Sequence, residues 1–255
     1  MNYVTAVTNQ KGGTGKTTST LNIGAGLNQR GYKVLLIDLD PQGSLSISAG
    51  VDTTQQSYTV YELLKGICDV KDTVINLADD LDIIPTDIRL AVADLELSGI
   101  AGREFLLREA VEPIRTDYDF IFIDCSPSLG VLTLNALALA DEVLIPLQAE
   151  PLALAGLASL KDTIQTVKKR INPDLYISGI LITKWNSRKS LNAYICDSLG
   201  NMFADILYDT KIRDNIALAE ATNAGQDIFT YNSKSNGAID YNNLINEMLE
   251  RKNIK

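Results

Sequence analysis

The sequence contains no histidine and very little cysteine. Without histidine it lacks the usual general base, the commonest zinc ligand and the simplest pH switch, so any chemistry must use carboxylates, lysines, hydroxyls or a metal ion. The three cysteines, Cys68, Cys125 and Cys196, are far apart and odd in number. They offer neither a disulfide framework nor a CxxC metal or redox motif, so we expect a reducing, cytoplasmic environment.

Long uninterrupted hydrophobic runs are also missing. The longest apolar stretch, residues 131–147, is broken by Asp141 and Glu142, and the chain begins directly on the strand-like segment NYVTAVT. We therefore expect neither a membrane span nor a signal peptide. The 255 residues, 45% of them hydrophobic, suffice for one large globular domain, and no repeat or flexible linker divides them.

Basic charge is scarce in the first part of the chain. The net charge is −9, with 10 basic and 21 acidic residues in positions 1–160 but 13 basic and 11 acidic residues in positions 161–255. The negative net charge of the whole chain argues against a nucleic-acid partner. The basic residues in positions 161–255 nevertheless permit a local basic face. A merely solvated surface is the alternative interpretation.

Short runs rich in Val, Ile and Leu alternate with helical patterns, which predicts a doubly wound α/β fold with a mostly parallel sheet flanked by helices. The predicted strands are residues 3–8, 34–39, 81–84, 120–124, 142–147 and 176–183. The predicted helices are residues 16–30, 102–115 and 152–170, with a C-terminal helix over about 235–252 docked on a single domain, 1–255.

The segment TNQKGGTGKTT, residues 8–18, nearly matches the phosphate-binding P-loop. Gln10 stands where the leading glycine is expected, and a second lysine, Lys11, follows it. Glycines let the backbone curl around phosphate, Lys16 supplies a point charge, and the Thr17 hydroxyl suits Mg²⁺. The expected nucleotide contacts are Lys11, Gly12, Gly13, Thr14, Gly15, Lys16, Thr17 and Thr18.

Two later segments end strands on carboxylates. VLLIDLDPQGS carries Asp38 and Asp40, and DFIFIDCSPSLG carries Asp124. Asp124 has the position of the carboxylate that holds the Mg²⁺ shell, although a strand-terminal Asp can instead cap the next helix. Asp40 precedes Pro41, which stops the strand, so we expect Asp40 at the site with Thr17 and Asp124 and a structural role for Asp38.

The segments KGGTGKTT, LLIDLDPQGS, FIFIDCSPSLG and IPLQAEPLALAGLASL resemble, in this order and spacing, the ParA/MinD group of deviant Walker-A ATPases. The resemblance is closest to the ParA (Soj) branch and covers nearly the whole chain. It implies a P-loop fold, slow ATP hydrolysis with Mg²⁺, and a homodimer that encloses ATP. It further implies a separate ParB-like centromere-binding partner that stimulates hydrolysis during segregation of a plasmid, mobile element or chromosome.

The same resemblance implies residue roles. Lys11 matches the signature lysine that reaches the phosphates of the partner subunit's nucleotide, and Asp40 matches the catalytic aspartate, so Lys11, Lys16 and Asp40 form the expected catalytic set. A carboxylate near Mg²⁺ is a feeble base, which suits slow turnover. The ATP-bound dimer is expected to bind double-stranded DNA without sequence preference and to associate with the nucleoid. Arg188 matches a family arginine. Four further cations are added on charge and on an expected position just past a strand: Lys184, Lys189, Lys211 and Arg213.

Some positions depart from the family pattern. Thr14 stands where Val or Ile is frequent, which a loop that binds through its backbone tolerates. The segment IRDNIALAEA, residues 212–221, replaces Ile-Pro-Arg-Asn-Val-Arg-Leu-Ser-Glu-Ala, so adenine and DNA contacts there are not transferred. Because few residues precede the P-loop, we expect no helix-turn-helix before it and no site-specific operator binding by this chain.

Three other classes remain as alternatives. A MinD-like protein would attach to membranes through the C-terminal segment, whose Leu244, Ile245, Met248 and Leu249 share one helical face, although docking on the domain is the favoured interpretation. A nitrogenase-type reductase needs cysteines for an iron–sulfur cluster, and Cys125 alone does not provide them. Small-molecule kinases and ligases of this fold would need a substrate pocket.

Overall fold

The strands of the protein assemble into one sheet in a computed structural model that describes residues 2–151, 153–188 and 190–254. Their bounds are β1 (Tyr3–Val7), β2 (Val34–Leu39), β3 (Ile75–Ala78), β4 (Leu81–Ile84), β5 (Phe120–Cys125), β6 (Glu142–Gln148), β7 (Tyr176–Trp185) and β8 (Leu207–Arg213). The order across the sheet is β3-β4-β2-β5-β1-β6-β7-β8, and only the β3–β4 pair is antiparallel. The predicted α/β class is confirmed.

Helices cover both faces of this sheet. Their bounds are α1 (Lys16–Asn28), α2 (Ser44–Ser48), α3 (Val60–Leu64), α4 (Ala93–Glu96), α5 (Leu106–Val111), α6 (Val131–Leu139), α7 (Ala153–Arg170), α8 (Ser190–Phe203), α9 (Ile216–Asn223), α10 (Ile228–Asn232) and α11 (Asn236–Arg251). One buried cluster joins the sheet to α3 through α8, and a second joins it to α1, α2 and α9 through α11. The single sheet between two cores supports the proposal of one domain.

The strand sequences explain the two cores. Successive side chains of a strand point to opposite faces, and in β2 Leu35 and Ile37 enter one core while Val34 and Leu36 enter the other. All four are fully buried. Continuous apolar runs are therefore needed in the central strands, which is why these strands were predictable.

The predicted helix over residues 102–115 is wrong as a continuous element. Only α5 is α-helical there, with a 3₁₀ turn at Arg103–Phe105 before it and a 3₁₀ segment at Glu112–Asp117 after it. Pro113 lies at the start of the second segment. Proline lacks the N–H that an α-helix needs at that point, so the helix stops.

The two edge strands, β3 and β8, were not predicted. The burial of β3 alternates between half-buried and exposed residues, and β8 is the polar sequence LYDTKIR. Lys211 and Arg213 therefore lie within a strand, which corrects the expectation that they follow one, and Lys184 likewise lies within β7. Edge strands have weaker apolar patterns because they pair with another strand on one side only and are less buried.

Helix α11 covers β8. Its Asp240 accepts a hydrogen bond from the Arg213 backbone N–H at 2.9 Å, and its Glu247 accepts two from the backbone N–H groups of Asp209 and Thr210, each at 2.9 Å. The two carboxylates are seven residues apart and so lie on one helical face. They bind backbone donors of a strand that has no sheet neighbour on that side.

The apolar face of α11 is buried. Leu244, Ile245 and Met248 pack in the core that α1 shares, and Ser235 accepts the capping hydrogen bond from Ala238 N–H. The face that a membrane-binding helix would present is thus covered by the protein itself. Among the described residues, no helix has both the length and the apolar character to cross a bilayer.

Candidate functional site

The P-loop joins β1 to α1 at the edge of the sheet where the parallel strands end. Gly13 and Gly15 have φ angles of 73° and 85°, in the left-handed region that glycine enters without strain. The turn ends at Gly15, whose carbonyl accepts from Ser19 N–H, and Lys16 begins α1 with its side chain nearly buried. A tight loop running into a helix N-terminus is a ready anion site.

Three side chains hold this loop in place. Thr183 Oγ1 donates to the Thr14 carbonyl at 2.7 Å, and Gln148 Nε2 donates to the Gly13 carbonyl at 2.6 Å. Asn9 Nδ2 donates to the Pro146 carbonyl at 2.8 Å. Sequence reasoning did not select Asn9, Gln148 or Thr183, because the only signal was their place in or beside strands that end at the same edge.

Asp124 lies beside the start of α1. The Thr17 hydroxyl donates to Asp124 Oδ2 at 2.6 Å, whereas Asp124 Oδ1 is buried without a hydrogen-bond partner among the described residues. Burial raises the pKa of Asp124, nearby Asp38 raises it further, and Lys16 opposes the rise. A buried, unpartnered carboxylate oxygen beside a hydroxyl fits a hydrated Mg²⁺, which needs only one or two carboxylates when phosphate supplies other oxygens.

Asp38 and Asp40 have different environments. Asp38 is buried and accepts from Ser46 N–H at 2.8 Å and from the Ser46 hydroxyl at 2.7 Å, which agrees with the structural role expected for it. Burial raises the pKa of Asp38 to about 7. Asp40 is half-buried just past β2, where its Oδ1 accepts from Gln42 N–H at 3.1 Å, and its charge also raises the pKa of Asp124.

Lys11 is held on its own chain. Its side chain is about half exposed, and Nζ forms an ion pair with Glu150, whose side chain is exposed to a similar extent. The Lys11 backbone N–H donates to Asn9 Oδ1 at 3.0 Å. Glu150 lies two residues past the end of β6, so both members of the pair lie at the end of the sheet that carries the P-loop.

A cavity of about 600 Å³ opens beside the loop. Its lining includes Gly15, Thr18 and Tyr241, together with the segment from Ile212 to Ile216 that departs from the family sequence. Sites of this volume accommodate a nucleoside or another molecule of similar size. The divergent residues therefore form one wall of a cavity that Gly15, the last residue of the P-loop turn, also lines.

The candidate DNA-binding cations do not form one uniform group. Lys184 and Arg188 are exposed, whereas Lys211 Nζ lies 4.9 Å from the centroid of the Trp185 ring. The Arg213 guanidinium is paired with Asp240, through Nη2 to Oδ1 at 2.6 Å and through Nε. Its charge is therefore compensated by Asp240 in this structure, and its place in a DNA-binding surface stays a prediction. Lys189 lies outside the described residues.

The comparisons with known proteins agree with this geometry. The family model described as "AAA domain" matches residues 2–177. The chain is 41% identical to the sporulation initiation inhibitor protein Soj of Bacillus subtilis over 97% of this chain and 98% of that protein. It is 41% identical to the chromosome partitioning protein ParA of Caulobacter vibrioides over 97% of this chain and 94% of that protein.

A solved structure has a similar fold over almost the whole chain. Cobyrinic acid a,c-diamide synthase from Mycobacterium smegmatis, with bound ADP and magnesium, has a TM-score of 0.87 and 35% identity, covering 99% of this chain and 96% of that chain. The fold, the P-loop and the matches define a P-loop ATPase of the AAA-domain class. Within that class the chain belongs to the ParA/Soj family of ATPases.

Proposed function

We propose that the chain is an ATP-driven partition protein that positions or segregates a plasmid, mobile element or chromosome. It binds ATP with Mg²⁺ at the P-loop, dimerises around the nucleotide, and binds DNA in that state. The observation that carries the proposal is the convergence of Lys16, Lys11, Asp40 and Asp124 at one edge of the sheet in a ParA/Soj chain.

Nucleotide binding follows from the loop and the cavity together. The backbone N–H groups of the loop and Lys16 bind phosphate, while Thr17 and Asp124 hold the Mg²⁺ shell, with Asp40 nearby. The adjoining cavity, with its wall formed by Ile212 to Ile216, would receive the base. The magnesium supplies charge neutralisation for the phosphates, and Asp40 orients the attacking water.

Dimerisation requires the Lys11 side chain to break its ion pair with Glu150 and reach the nucleotide of the partner subunit. A cation delivered to the developing charge of phosphoryl transfer contributes about 10³- to 10⁵-fold in rate in related reactions, and Lys11 is exposed at the correct edge to deliver one. Lys11→Ala should therefore retain ADP binding but lose ATP-dependent dimers and stimulated hydrolysis. Light scattering with ATP measures the dimer, and normal dimers in this variant would refute the role.

A matched control exists for that variant. Lys33 is also a surface lysine in an ion pair, with Asp80, but it precedes β2 and so lies at the opposite edge of the sheet. Lys33→Ala removes the same charge far from the nucleotide. It should dimerise like the unmodified protein.

DNA binding is proposed for the exposed cations Lys184 and Arg188, with Lys211 beside them, and with Lys189 on charge alone. One subunit supplies few charges, but a dimer doubles the surface, and counterion release acts locally even in an acidic protein. We expect gel shifts with ATP on unrelated duplexes to weaken steeply with salt. Partner-stimulated hydrolysis then releases the DNA, and the complex resides on the cytoplasmic nucleoid.

The DNA test uses two double variants. Lys184→Ala with Arg188→Ala should impair the ATP-dependent shift, whereas Lys168→Ala with Lys169→Ala removes equal charge from the exposed end of α7, at the opposite edge of the sheet. Equal binding without nucleotide would refute the ATP switch. Equal loss in both double variants would refute the proposed surface.

Two other readings have direct tests. The similarity to a diamide synthase favours a ligase as the second candidate function, and phosphate release from ATP without an added substrate would count against it. A MinD-like protein would float with liposomes in the presence of ATP. We expect no flotation, because the apolar face of α11 is buried, and we expect a separate ParB-like protein as the partner.

A further inference from the structure

Glu150 occupies a short link between β6 and α7 that faces the P-loop. Gln148, the last residue of β6, donates its side-chain N–H to the Gly13 carbonyl, and the Glu150 backbone N–H donates back to the Gln148 carbonyl at 2.8 Å. The Glu150 carbonyl then accepts from Ala153 N–H at 2.9 Å, at the start of α7. The backbone that carries Glu150 is therefore fixed relative to the loop.

The other member of the ion pair is fixed in the same way. Asn9 Oδ1 accepts from the Lys11 backbone N–H, and the Asn9 amide also donates to the Pro146 carbonyl of β6. The base of the Lys11 side chain is thus anchored to β6, and its tip is paired with Glu150. Only the flexible part of the side chain is left to move.

We infer that Glu150 is a positioning residue. It holds the Lys11 side chain on its own subunit until a second subunit brings nucleotide phosphates that take the place of the Glu150 carboxylate. The inference rests on the proposed function, because it requires Lys11 to act across a dimer. Both side chains are about half exposed, so the pair is weak and exchanges readily. Nucleotide phosphates carry more negative charge than one carboxylate and so compete for Lys11.

The size of the effect follows from the exposure of the pair. An exposed ion pair shifts an equilibrium by roughly 1.4- to fivefold. A symmetric dimer breaks two such pairs, so removing the Glu150 charge should tighten the ATP-dependent dimer by about two- to 30-fold. The difference should shrink at high salt, because salt screens exposed charges.

Glu150→Gln tests this expected gain in dimer stability, because glutamine removes the charge and keeps the shape of the side chain. Sedimentation or light scattering across protein concentrations, with Mg²⁺ and a non-hydrolysable ATP analogue, gives the dimer constant of each variant. Glu250→Gln, an exposed acid on α11, is the control for net charge. Glu150→Ala is a second variant, and thermal unfolding checks that each is folded.

We expect Glu150→Gln and Glu150→Ala to dimerise at lower concentration than the unmodified protein, and Glu250→Gln to match it. Unchanged or weaker dimers in both Glu150 variants would overturn the inference while leaving the proposed function standing. An unmodified protein that stays monomeric with the analogue would overturn both.

Discussion

Replacing Thr183 by valine removes the hydrogen bond that ties the P-loop to β7. The Thr183 hydroxyl donates to the Thr14 carbonyl at 2.7 Å, and Thr183 is almost fully buried. Its methyl group packs beside the loop, since a Cβ built on Gly15 would lie 3.4 Å from Thr183 Cγ2. Valine keeps this methyl contact and removes only the donor.

The magnitude follows from the burial of the acceptor. A buried acceptor that loses its donor costs about 1–3 kcal/mol, and Thr14 is itself buried. The loop can escape this cost by rearranging when no nucleotide is bound. Nucleotide binding must then restore the ordered loop, so the affinity for ATP should fall by about five- to 150-fold.

Calorimetric titration with ATP and Mg²⁺ measures this loss. Thr183→Ser is the matched control, because serine keeps the hydroxyl and loses the methyl group, and it should bind ATP more tightly than Thr183→Val. Thermal unfolding of both variants separates a loss of affinity from a loss of stability. If Thr183→Val retains both its affinity and its melting temperature, the hydrogen bond does not position the loop.

Four further variants test the site and the packing. Lys16→Ala should abolish ATP binding in the same calorimetric assay, and unchanged affinity would show that the loop has been misassigned. Asp40→Ala should bind ATP and dimerise but hydrolyse it poorly, and a phosphate-release rate equal to that of the unmodified protein would move the catalytic role elsewhere. Gly26→Ala should lower the melting temperature, because its Cβ would lie 2.3 Å from Ile245 Cδ1 and overpacking costs about 1–3 kcal/mol. Gly156→Ala, which meets nothing within 4 Å in α7, should instead be neutral or stabilising by up to about 1 kcal/mol, and an equal loss in both would refute the packing argument.

The carboxyl ends of the parallel strands explain why the sequence could predict which carboxylates lie near the P-loop. They do not reveal which side chains hold the loop in place. Asp38 and Asp124 are paired residues on adjacent parallel strands, and each ends an apolar run. Strand ends of a parallel sheet converge at one edge, so this proximity follows from the pattern alone. The Asn9, Gln148 and Thr183 contacts depend on the order β1-β6-β7, which the sequence does not state.

Arg213 shows the limit of reasoning from charge. In the sequence it is a cation late in a basic region, but its guanidinium is paired with Asp240, 27 positions further on. No local pattern relates the two, because the pair forms only when α11 packs along β8. Lys184 and Arg188, which lie near the end of β7 and just past it, remain exposed.

The sequence by itself determined the α/β class, the central strands, the phosphate loop and the carboxylates Asp40 and Asp124. These features are local, because they depend on apolar periodicity, glycine placement and residues a few positions apart. Only the tertiary structure decided the strand order, the edge strands β3 and β8, and the partners of Lys11 and Arg213. Those depend on contacts between distant segments, such as Lys11 with Glu150, which form once the chain has closed around its two cores.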